Sequence, residues 1–387
     1  MYNDNNVLSK SCPRGLMNYC SLAALLLSAA TSGALAHDSR KEPIVLDRSG
    51  GFVIGGKVVP INPATPNRTL SCDHGYVEYF LPANPRKTSL VMWHSSSTQV
   101  WQNRWDGGEG YKDMFLRRDY PVYLWDGPRV GRANWSCESI TYTPSSRDQG
   151  NFTAWNMGPA VPVGLLPTAA EWWPDVQFPT TNPQAWPAAT ASRYDEFDIE
   201  RNIEIETDAA AIAADSGKLG NSIVYLTNSA GGLRAMKTTG KSQKDNIKGI
   251  VTYESIGYVF PIGDPESPAN LCTDPGPACA FGPLGVPLAE FKKLAKLKSI
   301  QFVWGDHRAE TFTYVAQSRL CAKLINKYGG HAEVLKLGDD AGLKGSTHIP
   351  FADMDNDKVA GLLDKFLKKA KLDGYVNDDD HGWRDHH

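Results

Sequence analysis

Ser229 stands in the run "IVYLTNSAGGLRAM", where an apolar, β-branched and aromatic stretch from Ile223 gives way to small residues and then to Leu233, Ala235 and Met236. A buried strand followed by a helix fits that change of pattern. A serine at such a bend projects its Oγ above the sheet, over the N-terminus of the helix, and can attack a carbonyl carbon. The usual form of this bend is G-x-S-x-G; here it is T-N-S-A-G, with Thr227 in the place of the first glycine. The same five residues suit an ordinary turn or N-cap serine, so the chemistry depends on whether the chain also supplies a base, an orienting acid and an oxyanion hole.

His348 is the candidate base. It lies in "LKGSTHIPFADMDN", a Gly/Ser/Thr loop between the last strand-like run and the final helical one. His74, His307 and His331 read as surface or packing residues, and His94 as a support for its own loop. For the oxyanion hole, "VMWHSSSTQ" ends a central strand, and the backbone N–H of Ser96, or of Ser97, would join that of Ala230. Two carboxylates compete as the acid. Asp306 follows "SIQFVWG", near the usual place after the seventh strand, but the acid is expected a few residues beyond the glycine, where Arg308 and Ala309 stand. Glu254 ends "IKGIVTYE", the strand after the nucleophile helix, and its end should approach the histidine loop.

These residues need a scaffold of strands whose C-terminal ends lie together. "GFVIGGKVVPI" and "GYVEYFLPA" read as an opening antiparallel pair; "SLVMWH", "PVYLWD", "SIVYLTN", "IKGIVTYE", "SIQFVWG" and "AEVLKL" read as strands covered on both faces. Helical segments, among them "GYKDMFLRR", "IEIETDAAAIAADSGK", "PLAEFKKLAKL" and "NDKVAGLLDKFLKKAK", alternate with them. The expectation is an α/β fold with one mostly parallel sheet of about eight strands and helices on both faces. Two inserts break the rhythm: about 127–197, rich in Pro, Gly and Trp, and about 255–285, rich in Pro. Both are expected to leave the sheet near the strand C-termini and to cap a pocket there.

With these segments in order, the sequence resembles a branch of secreted esterase-like α/β-hydrolases, the novel bacterial esterase group and its fungal relatives. "GGFVIGGKVV", "VMWHSSSTQVWQNRWDGGEGYKDMFLRRDYPVYLWD", "LTNSAGG", "GIVTYES", "FVWGDH" and "GSTHIPFADMDN" carry the resemblance, over roughly residues 50–371. It implies an acid after the sixth strand, which corresponds to Glu254, beside Ser229 as nucleophile and His348 as base. The group's oxyanion loop begins His-Gly and continues with paired cysteines, whereas this chain has His94 followed by Ser95, Ser96 and Ser97.

Composition limits the partners. The chain has 387 residues, 40 Lys and Arg against 43 Asp and Glu, and a formal charge of −3. The charges are mixed along the chain, which argues against nucleic acid or a membrane surface and for a small organic partner. "MNYCSLAALLLSAATSGALA" reads as a signal peptide, residues 1–36, and no later segment has the roughly 20 apolar residues that a membrane span needs. The mature chain is expected to be secreted, with a hydrolase domain over 37–371 and a disordered polar tail over 372–387.

In that compartment Cys272 and Cys279, which bracket "CTDPGPAC", are expected to pair, as are Cys72 and Cys137, leaving Cys321 as a buried thiol. Asn67, Asn134 and Asn151 begin glycosylation sequons, which fit a secreted surface. The cysteines show no metal-type spacing; His381, His386 and His387 could chelate a metal, but a solvated, disordered tail without folded context is the expected reading, and no metal or cofactor is expected. The expected function is ester hydrolysis on a small hydrophobic or aromatic substrate, with a lyase or isomerase step on the same scaffold, or a silent binding protein, as the alternatives.

Overall fold

The structure is a computed structural model that describes residues 41–94, 97–141, 144, 146–159, 171–193, 202–273 and 281–376. The expected signal peptide and residues 377–387 of the expected tail lie outside them. From Ile44 onward the chain forms one compact unit.

Its centre is an eight-stranded sheet. The strands are β1 (Leu46–Pro60), β2 (Thr69–Pro82), β3 (Ser89–His94), β4 (Val122–Asp126), β5 (Ile223–Asn228), β6 (Ile247–Tyr253), β9 (Ser299–Trp304) and β10 (Ala332–Lys336), and their order is β1-β2-β4-β3-β5-β6-β9-β10. The β1–β2 and β2–β4 pairs are antiparallel; every later pair is parallel. The sheet is therefore mixed, parallel apart from the expected opening hairpin.

Alternation along each strand divides the core. Leu90, Met92, Leu226 and Val251 belong to one buried cluster, and Val91, Trp93, Tyr225 and Ile250 to the other. The first face is covered by α1 (Tyr111–Leu116) and α9 (Asn356–Lys369), and by residues in or beside the cap helices α2 (Asp148–Ala154) and α3 (Ala185–Ala191). The second is covered by α4 (Asn202–Ser216), α5 (Gly231–Lys241), α6 (Leu288–Leu294) and α7 (Thr313–Lys327). A short α8 (Leu337–Asp340) follows β10. Each large side chain buried this way contributes about 1.5–3 kcal/mol.

The second insert departs from expectation. Its ends form a small parallel sheet, β7 (Val259–Pro261) with β8 (Leu284–Val286), and Tyr258, Val259, Phe260 and Leu284 are buried in the cluster on the face opposite the aromatic cap. Apolar residues at both ends of the insert are the reason, because they leave water by joining the cluster that α5 and α7 line.

Cys72 and Cys137 form a disulfide across 65 residues. Beside it Arg129 donates to both carboxylate oxygens of Asp73, at 2.8 and 3.1 Å, and the Cys137 N–H adds a third bond at 3.2 Å. The start of the cap insert is thus bound to β2. Cys272 is also in a disulfide; Cys279 lies outside the described residues. Cys321 is a free, buried thiol. Asn67 and Asn134 are exposed, but Asn151 is buried and its Oδ1 accepts from Arg193 at 2.5 Å, which corrects the reading of its sequon as a surface feature.

Candidate active site

Ser229 follows β5 with φ of +55°. A non-glycine residue in that region costs about 1–3 kcal/mol and persists only where its surroundings fix it. Here they do. The Ser229 N–H donates to the Tyr253 carbonyl at 3.1 Å, and its own carbonyl accepts from Gly232 and Ile256 at 3.1 Å each. An N-cap serine has extended backbone, whereas here Ala230, with φ of −60°, occupies the cap of α5, so the capping alternative does not describe this serine.

The two glycines after it are required by crowding. A Cβ on Gly231 would lie 2.8 Å from the Trp93 carbonyl oxygen, and one on Gly232 would lie 2.0 Å from Ser255 Oγ. Thr227 is fully buried, and its branched Cβ fits because Gly231 opposite it has none: a Cβ there would lie 3.3 Å from that of Thr227.

Glu254 follows β6, beside β5 in the sheet, and is fully buried with φ of +49°. Its Oε1 accepts the Gly305 N–H at 2.8 Å. Its Oε2 lies 3.1 Å from His348 Nδ1 and accepts from Arg308 Nε at 2.8 Å, with Arg308 Nη2 at 2.7 Å. Burial raises the Glu254 carboxyl, but the Arg308 guanidinium and then His348 outweigh it, leaving it below the ordinary carboxylate range. His348 is itself held below the ordinary histidine value by burial, against the upward pull of Glu254 and with the help of Arg308 and Arg193.

His348 is braced from several sides. Its N–H donates to the Trp155 carbonyl at 2.9 Å, and its carbonyl accepts from Asn228 Nδ2 at 2.8 Å. The same Asn228 amide donates to the Tyr253 carbonyl at 2.9 Å. One side chain therefore joins the residue before Ser229, the residue before Glu254 and the histidine. Asp353 accepts from the Thr347 N–H at 2.6 Å and from its hydroxyl at 2.9 Å.

Asp306 does not meet the His348 ring; its Oδ2 lies 3.7 Å from His307 Nε2 instead. Its Oδ2 accepts the Gly345 N–H at 2.9 Å, and its own N–H donates to Ser346 at 2.9 Å, so it shapes the loop that carries His348. Among the described residues, Asp175, Asp306 and His307 have ligand atoms close enough for a metal ion, within 4.8 Å of one another. They are already engaged: His307 Nε2 meets Asp175 Oδ1 at 2.8 Å, and Trp173 stacks on the His307 ring at 4.3 Å. This joins the cap to the turn after β9.

Of the oxyanion donors, Ala230 is buried at the start of α5, and Ser96 lies outside the described residues. Ser97 and His94 are buried; burial, then Arg193 and His348, keep His94 well below its ordinary pKa. An aromatic cluster adjoins His348 through the Trp155 carbonyl. Trp155, Trp172 and Phe178 each pack on Trp186, with centroids 5.7 to 6.0 Å apart, and Trp105 stacks on Trp155 at 6.2 Å.

Sequence reasoning missed Gly305, Arg308 and Asn228, as well as the stretch 154–156. In that stretch the Ala154 carbonyl accepts from Arg308 Nη2 at 3.1 Å, the Trp155 carbonyl accepts from His348 N–H, and Asn156 Nδ2 donates to the Asp306 carbonyl at 2.7 Å. The one signal that was available is the arginine in the acid's usual place.

No family model matches this chain. Over 382 residues it is 23% identical to a probable secreted lipase, phiG, of a fungal species (strain ATCC 74256), covering 90% of this chain and 96% of that protein. It is similar to the atomic-resolution structure of a novel bacterial esterase, with a TM-score of 0.64 and 20% identity, over 85% of this chain and 98% of that one. A Pyrococcus furiosus esterase gives a TM-score of 0.41 and 11% identity over 84% of this chain and 91% of its own. The fold is that of the α/β-hydrolases, and the resemblance to their esterase-like members read from the motifs is borne out.

Proposed function

We propose that this protein is a secreted carboxylic ester hydrolase in which Ser229 is the nucleophile, His348 the base and Glu254 the orienting acid. The observation that carries the reading is the strained bend at Ser229, φ +55°, together with a buried His348–Glu254 pair at 3.1 Å that the amide of Asn228, the residue before Ser229, holds through the His348 carbonyl. The likeness to a lipase named as secreted and to a bacterial esterase supports the same class.

In the first step His348 Nε2 takes the Ser229 hydroxyl proton as Oγ bonds to the ester carbonyl carbon, and the carbonyl π pair moves to its oxygen. The Ala230 N–H, with a donor from the loop after β3 such as Ser96, holds that oxyanion. The C–O bond to the alcohol then breaks, His348 returns the proton to the leaving oxygen, and an acyl-Ser229 remains. Water repeats the sequence: its proton goes to His348, its oxygen bonds to the acyl carbon, and the carboxylic acid leaves as Ser229 recovers its proton. Glu254 holds the imidazole in the tautomer with Nε2 free. The aromatic cap supports a hydrophobic or aromatic ester as substrate.

Labelling with a fluorophosphonate followed by peptide mapping tests this. Modification at Ser229, absent from Ser229→Ala, is the expected result; full labelling of Ser229→Ala would overturn it.

A further inference from the structure

We propose that Arg308 is a positioning residue of this site: with one guanidinium it bonds Glu254 Oε2 and the carbonyl of Ala154, fixing the place of the acid and offsetting its charge. This rests on the reading of Ser229, Glu254 and His348 above.

The geometry is specific. Glu254 Oε2 meets Arg308 Nε at 2.8 Å, Arg308 Nη2 at 2.7 Å and His348 Nδ1 at 3.1 Å, while Oε1 is held by the Gly305 N–H. Nη2 extends to Ala154, the end of the first cap helix, and the next cap residue, Trp155, accepts the His348 N–H. The Arg308 side chain is only 11% exposed. Its position in the chain is where an acid of the usual layout is expected.

The effect on the base follows from charge. Glu254 alone would stabilise the imidazolium and make His348 harder to deprotonate. A guanidinium on the same carboxylate oxygen shares that negative charge and repels the imidazolium, so His348 stays neutral, and able to take a proton from Ser229, to lower pH. Burial and Arg308 act in this direction on His348, against Glu254. The other groups facing the pair are Arg193 of the cap, His94 at the end of β3 and the Tyr258 hydroxyl of the second insert. None of them changes when Arg308 is replaced.

The test is kcat/KM for p-nitrophenyl acetate against pH, from about 4.5 to about 9, for the wild type, Arg308→Gln and Arg308→Lys, with fluorophosphonate labelling of each. Arg308→Gln should move the acid limb up by about one pH unit. Arg308→Lys keeps the charge, so its limb should stay within about 0.3 unit of the wild type; kcat should fall about tenfold, because an ammonium cannot reproduce the fork between Glu254 and Ala154. A limb unmoved in Arg308→Gln, or moved equally in Arg308→Lys, overturns the proposal while wild-type labelling at Ser229 leaves the reading of the site intact. Wild type that is not labelled at Ser229 overturns both. Should neither variant fold, Arg308→Met, which keeps the apolar stem and removes the charge, takes their place: its acid limb should also rise by about one pH unit, and an unmoved limb overturns the proposal.

Discussion

Asn228 Nδ2 donates to the backbone carbonyl of His348 at 2.8 Å, so the neighbour of Ser229 fixes the position of a residue 120 places later in the chain. The same amide reaches the Tyr253 carbonyl next to Glu254. Asn228→Ala should therefore misplace the histidine loop without touching the cap. We expect kcat for a small aryl ester to fall by about 10- to 100-fold while KM changes by less than about threefold. Steady-state kinetics on purified variant protein checks this, and a wild-type kcat would show that the clamp is dispensable.

The two carboxylates should separate cleanly. Glu254→Gln removes the partner of His348 Nδ1, and kcat should drop by about three to four orders of magnitude in a folded protein. Asp306→Asn keeps an acceptor for the Gly345 N–H and should lose less than about tenfold. Assayed beside Ser229→Ala, the reverse ranking would move the acid to the turn after β9.

Stability should fall on acidification in two stages. His348 and His94 are both depressed in the fold, so the unfolded chain binds more protons as pH falls below about 6.5, and the stability they confer, complete above that value, is lost towards their lower folded values. Glu254, also depressed, contributes stability that is present above the unfolded carboxyl value of about 4.3 and is lost as pH falls through its folded one. Thermal unfolding measured between about pH 8 and about pH 3 should show a decline that begins near the histidine range. A midpoint constant down to about pH 5 would contradict the histidine assignments.

The nucleophile helix is anchored by an ion pair. Arg234 on α5 and Glu206 on α4 are bonded and both almost fully buried. Glu206→Ala leaves a buried guanidinium charge behind and should cost about 3–5 kcal/mol in denaturant unfolding, whereas Asp208→Ala, which removes a carboxylate 64% exposed on the same helix, should cost less than about 1 kcal/mol. Equal losses would place the anchor elsewhere.

What could be read in the sequence was local. The bend at Ser229 announces itself by a strand run, a small-residue turn and a helix. Glu254 is legible because a strand end fixes where its first residue points. Arg308 was visible only as an oddity, an arginine where an acid is usual, because its contact with Glu254 joins residues 54 positions apart. The bonds from residues 154 and 155 use backbone carbonyls, which no side-chain pattern encodes. Asn151 kept its sequon signature although packing against Arg193 buries it. The second insert read as part of the cap because its composition marks a loop, while the face on which a loop lies is decided by the apolar residues at its ends.

The Glu254–Arg308 pair also bears on how such a site can change its layout over evolutionary time. The two chain positions at which an acid is expected meet at one atom, Glu254 Oε2, one holding the carboxylate and the other its counter-charge. Moving the acid between strands thus needs no rebuilding of the sheet, only an exchange across a single contact. The single-step intermediates are the obstacle, since each leaves a buried charge alone at a cost of about 3–5 kcal/mol. A chain carrying this pair is therefore held to its acid by the arginine that bonds it.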